Sequence, residues 1–292
     1  MRIALFGKPF KQKHNDAVMH LVDRIKGLDS EALVYGEFND FLKKFMGVPA
    51  TFKTFSSADD IDGYDVLFSV GGDGTFLESC TLASEKGIPI MGINTGTLGF
   101  LSNVGTDSID KAIDAIISGK TWIDERSLLK VKAEGVDLGQ FPYALNEVAI
   151  HKRDTASMVV VEVHREDRFV NTYWADGLIV STATGSTAYN LSAGGPIISP
   201  SSQVVVITPI APHNLTNRPL IVPIQGEITL SPDGRDASFL LSLDSRSFRI
   251  SQKTKVTLNP APFKAKFLNL EHQNFFNIIR SKMHWGIDPR DR

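Results

Sequence analysis

The sequence predicts an α/β domain built on a parallel sheet, followed by an all-β sandwich, and three observations carry that prediction. Short, uncharged, β-rich runs in the first 125 residues alternate with stretches of helical period. Two of those runs end in glycine-rich turns. From Trp122 the period shortens to two, and turn residues recur at close spacing through most of the remaining chain. With 292 residues, 42% of them hydrophobic and 22% charged, the chain can bury a core in each of two domains.

Ile3 to Phe6 reads as the opening strand, and Asp16 to Leu28 as a helix with Val18, Leu21, Val22 and Ile25 on one face. Leu33 to Tyr35 is a second strand. Between Glu37 and Asp62, phenylalanines at 38, 41, 45, 52 and 55 stand among lysines and turn residues, and no period assigns an element. Val66 to Val70 has the pattern of a strand buried on both faces of a parallel sheet. It stops at Gly71, and Thr75 opens a helix that runs to about Glu85. Ile88 to Ile93, entered through Pro89, is another buried strand. Ser108 to Ser118 is a helix with Ile109, Ala112, Ile113 and Ile116 on one face. Residues 1–125 thus form a Rossmann-like domain.

The β domain, residues 126–262, is read from Leu128 to Ala133, Ala144 to His151, Met158 to His164, Phe169 to Trp174, Leu178 to Ser181, Val204 to Ile207, Gly226 to Leu230, Phe239 to Leu243 and Lys255 to Leu258. Ala265 to Leu270 reads as one more strand and Asn274 to Met283 as a helix, so 263–292 is expected to pack back on the first domain. No fixed-period repeat and no low-complexity linker interrupts this order.

Composition excludes several function classes. A formal net charge of -2 provides no basic footprint for nucleic acid or an anionic membrane. The single cysteine, Cys80, cannot form an internal disulfide and reads as a small buried side chain. Histidines at 14, 20, 151, 164, 213, 272 and 284 have no metal-ligand spacing, so no resident metal site is expected. No run is long enough for a membrane span, and the opening apolar run is too short for a signal peptide, so a cytoplasmic setting is expected.

The chemistry centres on Gly71-Gly72-Asp73-Gly74-Thr75. Glycines at the end of a buried strand let backbone N–H groups close on an anion, and the following helix N-terminus favours the same anion. Phosphate is the natural guest. Asp73 would oppose it unless a metal or a reacting hydroxyl makes use of the carboxylate. Asn94-Thr-Gly-Thr-Leu-Gly-Phe is a second glycine-rich turn, at the strand edge where open α/β sheets bind ligands. Two familiar motifs fail. Gly119-Lys120-Thr121 looks like the end of a P-loop, but Asp114 occupies the required first glycine, and Leu77 stands at the third glycine of a dinucleotide fingerprint.

In the β domain, the segment from Asp176 to Gly195 is dense in hydroxyls and glycines, and Tyr189 offers a flat face within it. Pro209 to Pro219 is a loop stiffened by three prolines around His213 and Arg218. Asn146-Glu147 places an amide and a carboxylate inside an apolar run, which is costly without partners. Together these read as a wall for base and ribose, facing the glycine turns.

Gly71 to Thr75, then Asn94 to Phe100, Asn146-Glu147, Asp176-Gly177, Thr184-Gly-Ser-Thr-Ala-Tyr, Pro212-His213 and Arg218-Pro219 resemble the NAD kinases in motif and in order, over roughly Asp65 to Pro223. The resemblance implies transfer of the terminal phosphoryl group of ATP to the 2′-hydroxyl of the adenosine ribose of NAD, with Mg2+ or another divalent cation carried by ATP. It implies Asp73 as general base on that hydroxyl, and Gly71, Gly72, Gly74, Thr75, Asn94 and Gly96 near the donor phosphates. It implies NAD contacts from Asp73, Gly74, Asn146, Glu147, Asp176, Thr184, Thr187, Ala188, Tyr189, Ser192 and His213, and a homodimer or homotetramer. Ala183 departs from the proline common before Thr-Gly-Ser-Thr-Ala-Tyr, which bears on the stiffness of the loop. Asp73→Asn is expected to keep the fold and lose most turnover.

Single features have plainer readings. The glycine turn alone suits a structural Asx-type cap, Asn146-Glu147 a satisfied pair at a strand end, His213 a hydrogen-bonded structural side chain, and Arg218 an ion pair across a subunit contact. Two other functions share the glycine-aspartate turn. Diacylglycerol and sphingosine kinases resemble the chain there, but no basic amphipathic surface suits a membrane acceptor. A non-catalytic dinucleotide-binding regulator would bind NAD without consuming ATP.

Overall fold

The computed structural model describes residues 1–10, 14–28, 30–47, 52–96, 99–153, 158–235, 237–271 and 273–283. The chain divides into two compact units, Met1–Glu125 with Ala265–Arg292, and Arg126–Lys264.

The first unit opens with β1 (Arg2–Gly7), α1 (Asn15–Lys26), β2 (Glu31–Tyr35), α2 (Gly36–Met46) and β3 (Lys53–Phe55). It continues through β4 (Val66–Val70), α3 (Asp73–Ala83), β5 (Ile90–Asn94), β6 (Val104–Gly105) and α4 (Ile109–Ile117). All strand pairs are parallel, in the order β3-β2-β1-β4-β5-β6. Every residue of β4 and β5 is buried, which is what their uncharged composition demands of central strands covered on both faces. Val18, Leu21, Val22 and Ile25 of α1 and Ile109, Ala112 and Ile113 of α4 join Ile3, Leu5, Val66 and Phe68 in one core.

The stretch that gave no period holds α2 and β3. Phe38 and Leu42 of α2 are buried, while Phe45 is 62% exposed, so its aromatics do not mark one face. Tyr35 offers no side-chain cap, and the helix ends at Gly47 in the left-handed region. The apolar pattern and the start signal both fail to announce this helix.

The second unit contains β7 (Thr121–Ala133) from Arg126 on, β8 (Tyr143–Ala144), β9 (Glu147–His151), β10 (Val159–Arg165), β11 (Arg168–Ala175) and β12 (Gly177–Thr182). A short helix α5 (Tyr189–Ser192) precedes β13 (Val204–Ile210), β14 (Leu220–Pro223), β15 (Ile228–Gly234), β16 (Ser238–Leu243), β17 (Arg246–Ser251) and β18 (Val256–Leu270). One antiparallel sheet runs β14-β13-β12-β9-β16-β17. The other is β11-β10-β15-β18, also antiparallel. Val159, Val161 and Val163 from one sheet and Val148, Ile150, Leu178, Val180, Val205 and Ile207 from the other fill a shared core, which makes the unit a sandwich.

Two expectations need correction here. Ala144 to His151 is not one strand: pairing breaks between β8 and β9 at Leu145-Asn146, because their amides bond elsewhere. The strands β14 and β17 were not foreseen; prolines flank and end the first, and arginines interrupt the second.

The strands expected at Lys255 to Leu258 and Ala265 to Leu270 are one continuous strand, β18, whose residues from Ala265 on belong to the first unit together with the helix that follows. Phe267 of β18 pairs in parallel with Ile90 of β5, and its ring meets Phe76 edge-on at 4.7 Å. Helix α6 (Phe275–Met283) follows and buries Ile279.

Candidate functional site

In the first unit, β4 runs directly into Gly71, whose N–H donates to Ile93 O at 2.9 Å. A Cβ on Gly71 would fall 2.3 Å from Thr75 Oγ1, so the threonine side chain occupies the space that only glycine leaves. Gly72 and Gly74 differ. Both are exposed, and nothing lies within 4 Å of where their Cβ atoms would be. One glycine closes the turn from within; the other two leave its outer side open to a ligand. Helix α3 begins at Asp73, two residues earlier than the sequence reading placed it, so Asp73 belongs to the first helical turn.

The carboxylate of Asp73 is anchored. Oδ2 accepts the N–H of Phe100 at 2.8 Å, and Oδ1 accepts those of Leu101 at 3.1 Å and Ser102 at 3.0 Å. These donors compensate its charge and draw the second turn against the first. Asn94 completes the join, donating from Nδ2 to Ser102 O at 3.0 Å and accepting the N–H of Gly96 at 2.7 Å on Oδ1. Gly71, Gly72, Asp73, Gly74, Thr75, Asn94 and Gly96 therefore form one locus; Thr97 and Leu98 lie outside the described residues. Lys282 on α6 also feels Asp73: burial lowers the pKa of its ammonium, and the Asp73 charge works against that shift. Nothing in the sequence marked Lys282.

In the second unit, Asn146 and Glu147 stand at the start of β9. Three successive N–H groups, of Leu145, Asn146 and Glu147, donate to the carboxylate of Asp244 at 2.9, 2.8 and 3.1 Å. Burial, and then the nearby Asp244, push the Glu147 carboxyl up to about 8, against a lowering hydrogen bond from the Tyr189 backbone. Asn146 Oδ1 and Glu147 Oε2 are buried and accept no hydrogen bond from the described residues. Such orphaned acceptors are costly unless a ligand supplies donors.

The hydroxyl-rich segment is more self-contained than the sequence suggested. Thr182 Oγ1 donates to Leu145 O at 2.6 Å, and Ser186 exchanges hydrogen bonds with Ile198 at 3.2 and 3.0 Å. Thr187 Oγ1 turns back to Thr184 O at 3.4 Å, and buried Thr184 accepts from Arg126 at 3.4 Å. A Cβ on Gly185 would lie 2.1 Å from Asn146 O, so glycine is what lets this segment approach Asn146. Asn190, gripped by Thr208 at 2.6 Å, fixes α5 from beneath. Tyr189 and Ser192 remain exposed beside half-buried Thr187 and Ala188.

The ring of Tyr189 is backed by His151, with centroids 5.6 Å apart and planes 23° from parallel. Burial lowers the His151 pKa, so the stack is between neutral rings at neutral pH. Asp176 pairs with Lys152 at 2.6 Å. Both Glu147 and Asp176 act electrostatically on Tyr189, so these residues share one neighbourhood. His213 is not drawn into it by these contacts: it is exposed on the loop after β13, and its N–H donates to Trp174 O at 2.9 Å. Arg218 caps its own loop, donating to Leu215 O at 2.7 Å and Asn217 O at 2.8 Å. Sequence reasoning missed Asp244, His151 and Lys152, which hold the recognised motifs from other strands. Among the described residues, no group of three or more His, Cys, Asp or Glu could hold a metal ion.

A parallel sheet ending in an open glycine turn with an anchored carboxylate, accompanied by a β-sandwich with an exposed aromatic face beside orphaned acceptors, defines a nucleotide-using phosphotransferase. Family models described as the ATP-NAD kinase N-terminal domain and C-terminal domain match residues 30–121 and 145–270. NAD kinases of Cytophaga hutchinsonii and Flavobacterium psychrophilum are 40% and 38% identical over 292 and 294 residues, covering all of both chains. That of Bacteroides fragilis is 38% identical over 99% of this chain and 100% of its own. The chain belongs to the NAD kinase family and is a phosphotransferase with an alcohol acceptor. Its fold is shared by yeast NADH kinase in complex with NADH (TM-score 0.86, 22% identity, 99% of this chain and 89% of that one). An Archaeoglobus fulgidus NAD kinase in complex with ATP shares it too (TM-score 0.72, 24% identity, 96% and 99%). The lipid-kinase reading of the glycine-aspartate turn is not favoured by relatives that match from end to end.

Proposed function

We propose that Asp73 receives the 2′-hydroxyl of the adenosine ribose of NAD and acts as general base while the terminal phosphoryl group of ATP is transferred to it, giving NADP. The observation that carries this role is the anchoring of Asp73. Three amides fill three of the roughly four lone-pair positions of the carboxylate, leaving one on Oδ2 for a hydroxyl donor in a fixed geometry. Gly71, Gly72, Gly74, Thr75, Asn94 and Gly96 serve the donor phosphates, with exposed Gly72 and Gly74 offering backbone N–H groups at close range. ATP enters as its complex with Mg2+ or another divalent cation, whose charge offsets that of the phosphates.

Asn146, Glu147, Asp176, Thr184, Thr187, Ala188, Tyr189 and Ser192 hold the dinucleotide. Sugar and base donors satisfy the orphaned oxygens of Asn146 and Glu147, and the adenine lies on Tyr189. His213 contributes from its exposed loop. By this reading residues 1–125 with 263–292 supply phosphate handling, residues 126–262 supply dinucleotide binding, and the enzyme works in the cytoplasm as a homodimer or homotetramer. No helix among the described residues is long and apolar enough to cross a membrane.

The test is incubation of the purified protein with MgATP and NAD, with direct detection of NADP and ADP. Both are expected in equal amounts. Binding of NAD without ATP consumption would establish the regulator instead, and ADP formation with a lipid alcohol but not with NAD would establish a different acceptor.

A further inference from the structure

The residues that recognise the dinucleotide are themselves held by a device that no motif marks. Asp244 sits at the tight turn between β16 and β17, with φ +51, a left-handed conformation that Asp and Asn tolerate better than most residues. Its own N–H donates to Glu147 O at 3.0 Å, while its carboxylate takes the N–H groups of Leu145, Asn146 and Glu147. Two residues on, the guanidinium of Arg246 donates to the carbonyls of Phe141 and Tyr143 and lies over the Phe141 ring at 5.5 Å. One hairpin tip thus takes up six backbone polar groups between 141 and 147. Those amides cannot join a β ladder, which is why β8 and β9 part at this point. Where they part, Asn146 Oδ1 and Glu147 Oε2 are buried and have no hydrogen-bond partner among the described residues.

We propose that Asp244 is a positioning residue for dinucleotide recognition. By holding three consecutive amides it breaks the strand at Leu145-Asn146 and presents the acceptors of Asn146 and Glu147 to the ligand. Arg246 supports it, as a neighbouring positive charge and as a second grip on the same segment. The proposal rests on the reading of Asn146 and Glu147 as NAD contacts. It adds that their aim is set from a distant hairpin, so a residue that never touches substrate controls affinity for one substrate and not the other.

Asp244→Asn is the informative variant, because asparagine keeps the left-handed turn but replaces one accepting oxygen with a donor that faces an N–H. The KM for NAD is expected to rise about tenfold or more, with the KM for ATP within about twofold of wild type. Asp244→Gly keeps the turn and deletes the grip, and should show the same selective effect. Asn146→Ala, measured alongside, checks the underlying reading. If Asn146→Ala leaves the KM for NAD unchanged, that reading fails. If Asn146→Ala raises it and Asp244→Asn does not, the positioning role fails while the reading stands. The double variant Asp244→Asn/Asn146→Ala should be no worse for NAD than the poorer single variant, since the contact that Asn146→Ala removes is among those already lost in Asp244→Asn. Full additivity, or a loss of thermal stability with both KM values unchanged, would overturn the proposal in favour of a purely structural aspartate.

Discussion

A methyl group on Gly99 would fall 1.7 Å from Oδ1 of Asp73. No side-chain rotation accommodates that, because both oxygens of the carboxylate are already bound to the amides of residues 100–102. Gly99→Ala must therefore push either the carboxylate or the loop out of place. On the proposed base role of Asp73 we expect it to lower kcat by about tenfold or more, since displacing such a group by an ångström is costly, with the chain still folded by circular dichroism. Wild-type turnover in this variant would mean that the Asp73 anchorage is irrelevant to the reaction.

Asp73→Asn probes the charge directly. The amide keeps one acceptor, but its NH2 group faces a main-chain N–H, and the proposed general-base assistance would be gone. Turnover should fall by about a hundredfold to ten-thousandfold, while NAD still binds by calorimetry. A variant with more than about a tenth of wild-type kcat would remove Asp73 from the base role.

What could be read from the chain, and what could not, follows from where the determinants lie. The buried strands β4 and β5 and the helices α1 and α4 declare themselves by local period, because each packs one continuous apolar surface. The glycine turn is legible because its chemistry is consecutive in sequence. Helix α2 is not, since Phe45 breaks the apolar face and no cap precedes it. Asp244 was invisible for a different reason, and so was the part Gly99 plays within the recognised turn: their contacts lie 97 to 99 and 26 positions away, which no local pattern encodes. The hydroxyls from Thr182 to Thr187 carry a second duty that their composition does not reveal. Most of them bond to backbone groups that fold and hold their own loop.

The stack of His151 on Tyr189 makes a graded prediction. Stacking of a base on an aromatic ring is worth roughly 1–3 kcal/mol, so Tyr189→Ala should raise the KM for NAD by about fivefold to a hundredfold. Tyr189→Phe keeps the ring and should cost little. His151→Ala leaves the tyrosine without its backing ring and is expected to fall between the two. Equal KM values for all three variants would show that neither ring meets the base.

Glu147 gives the reaction a pH signature. Burial and Asp244 raise its carboxyl to about 8 from an ordinary 4.5, so the folded protein holds a proton there that the unfolded chain releases. The contribution of Glu147 to stability is therefore fully present below about pH 4.5 and is lost as pH rises through about 8. Glu147→Gln removes that titration, and its melting temperature should gain on wild type between pH 5 and pH 9. Ligand binding reads the same group from the other side. In the proposed complex, a ribose hydroxyl donating to Oε2 would favour the ionised carboxylate, lower its pKa and expel the proton. Calorimetry of NAD binding near pH 7.5 in buffers of different ionisation enthalpy should register release of a substantial fraction of one proton, absent in Glu147→Gln. Proton uptake in the wild type would mean that Glu147 binds as a neutral acid and donates to the ligand instead.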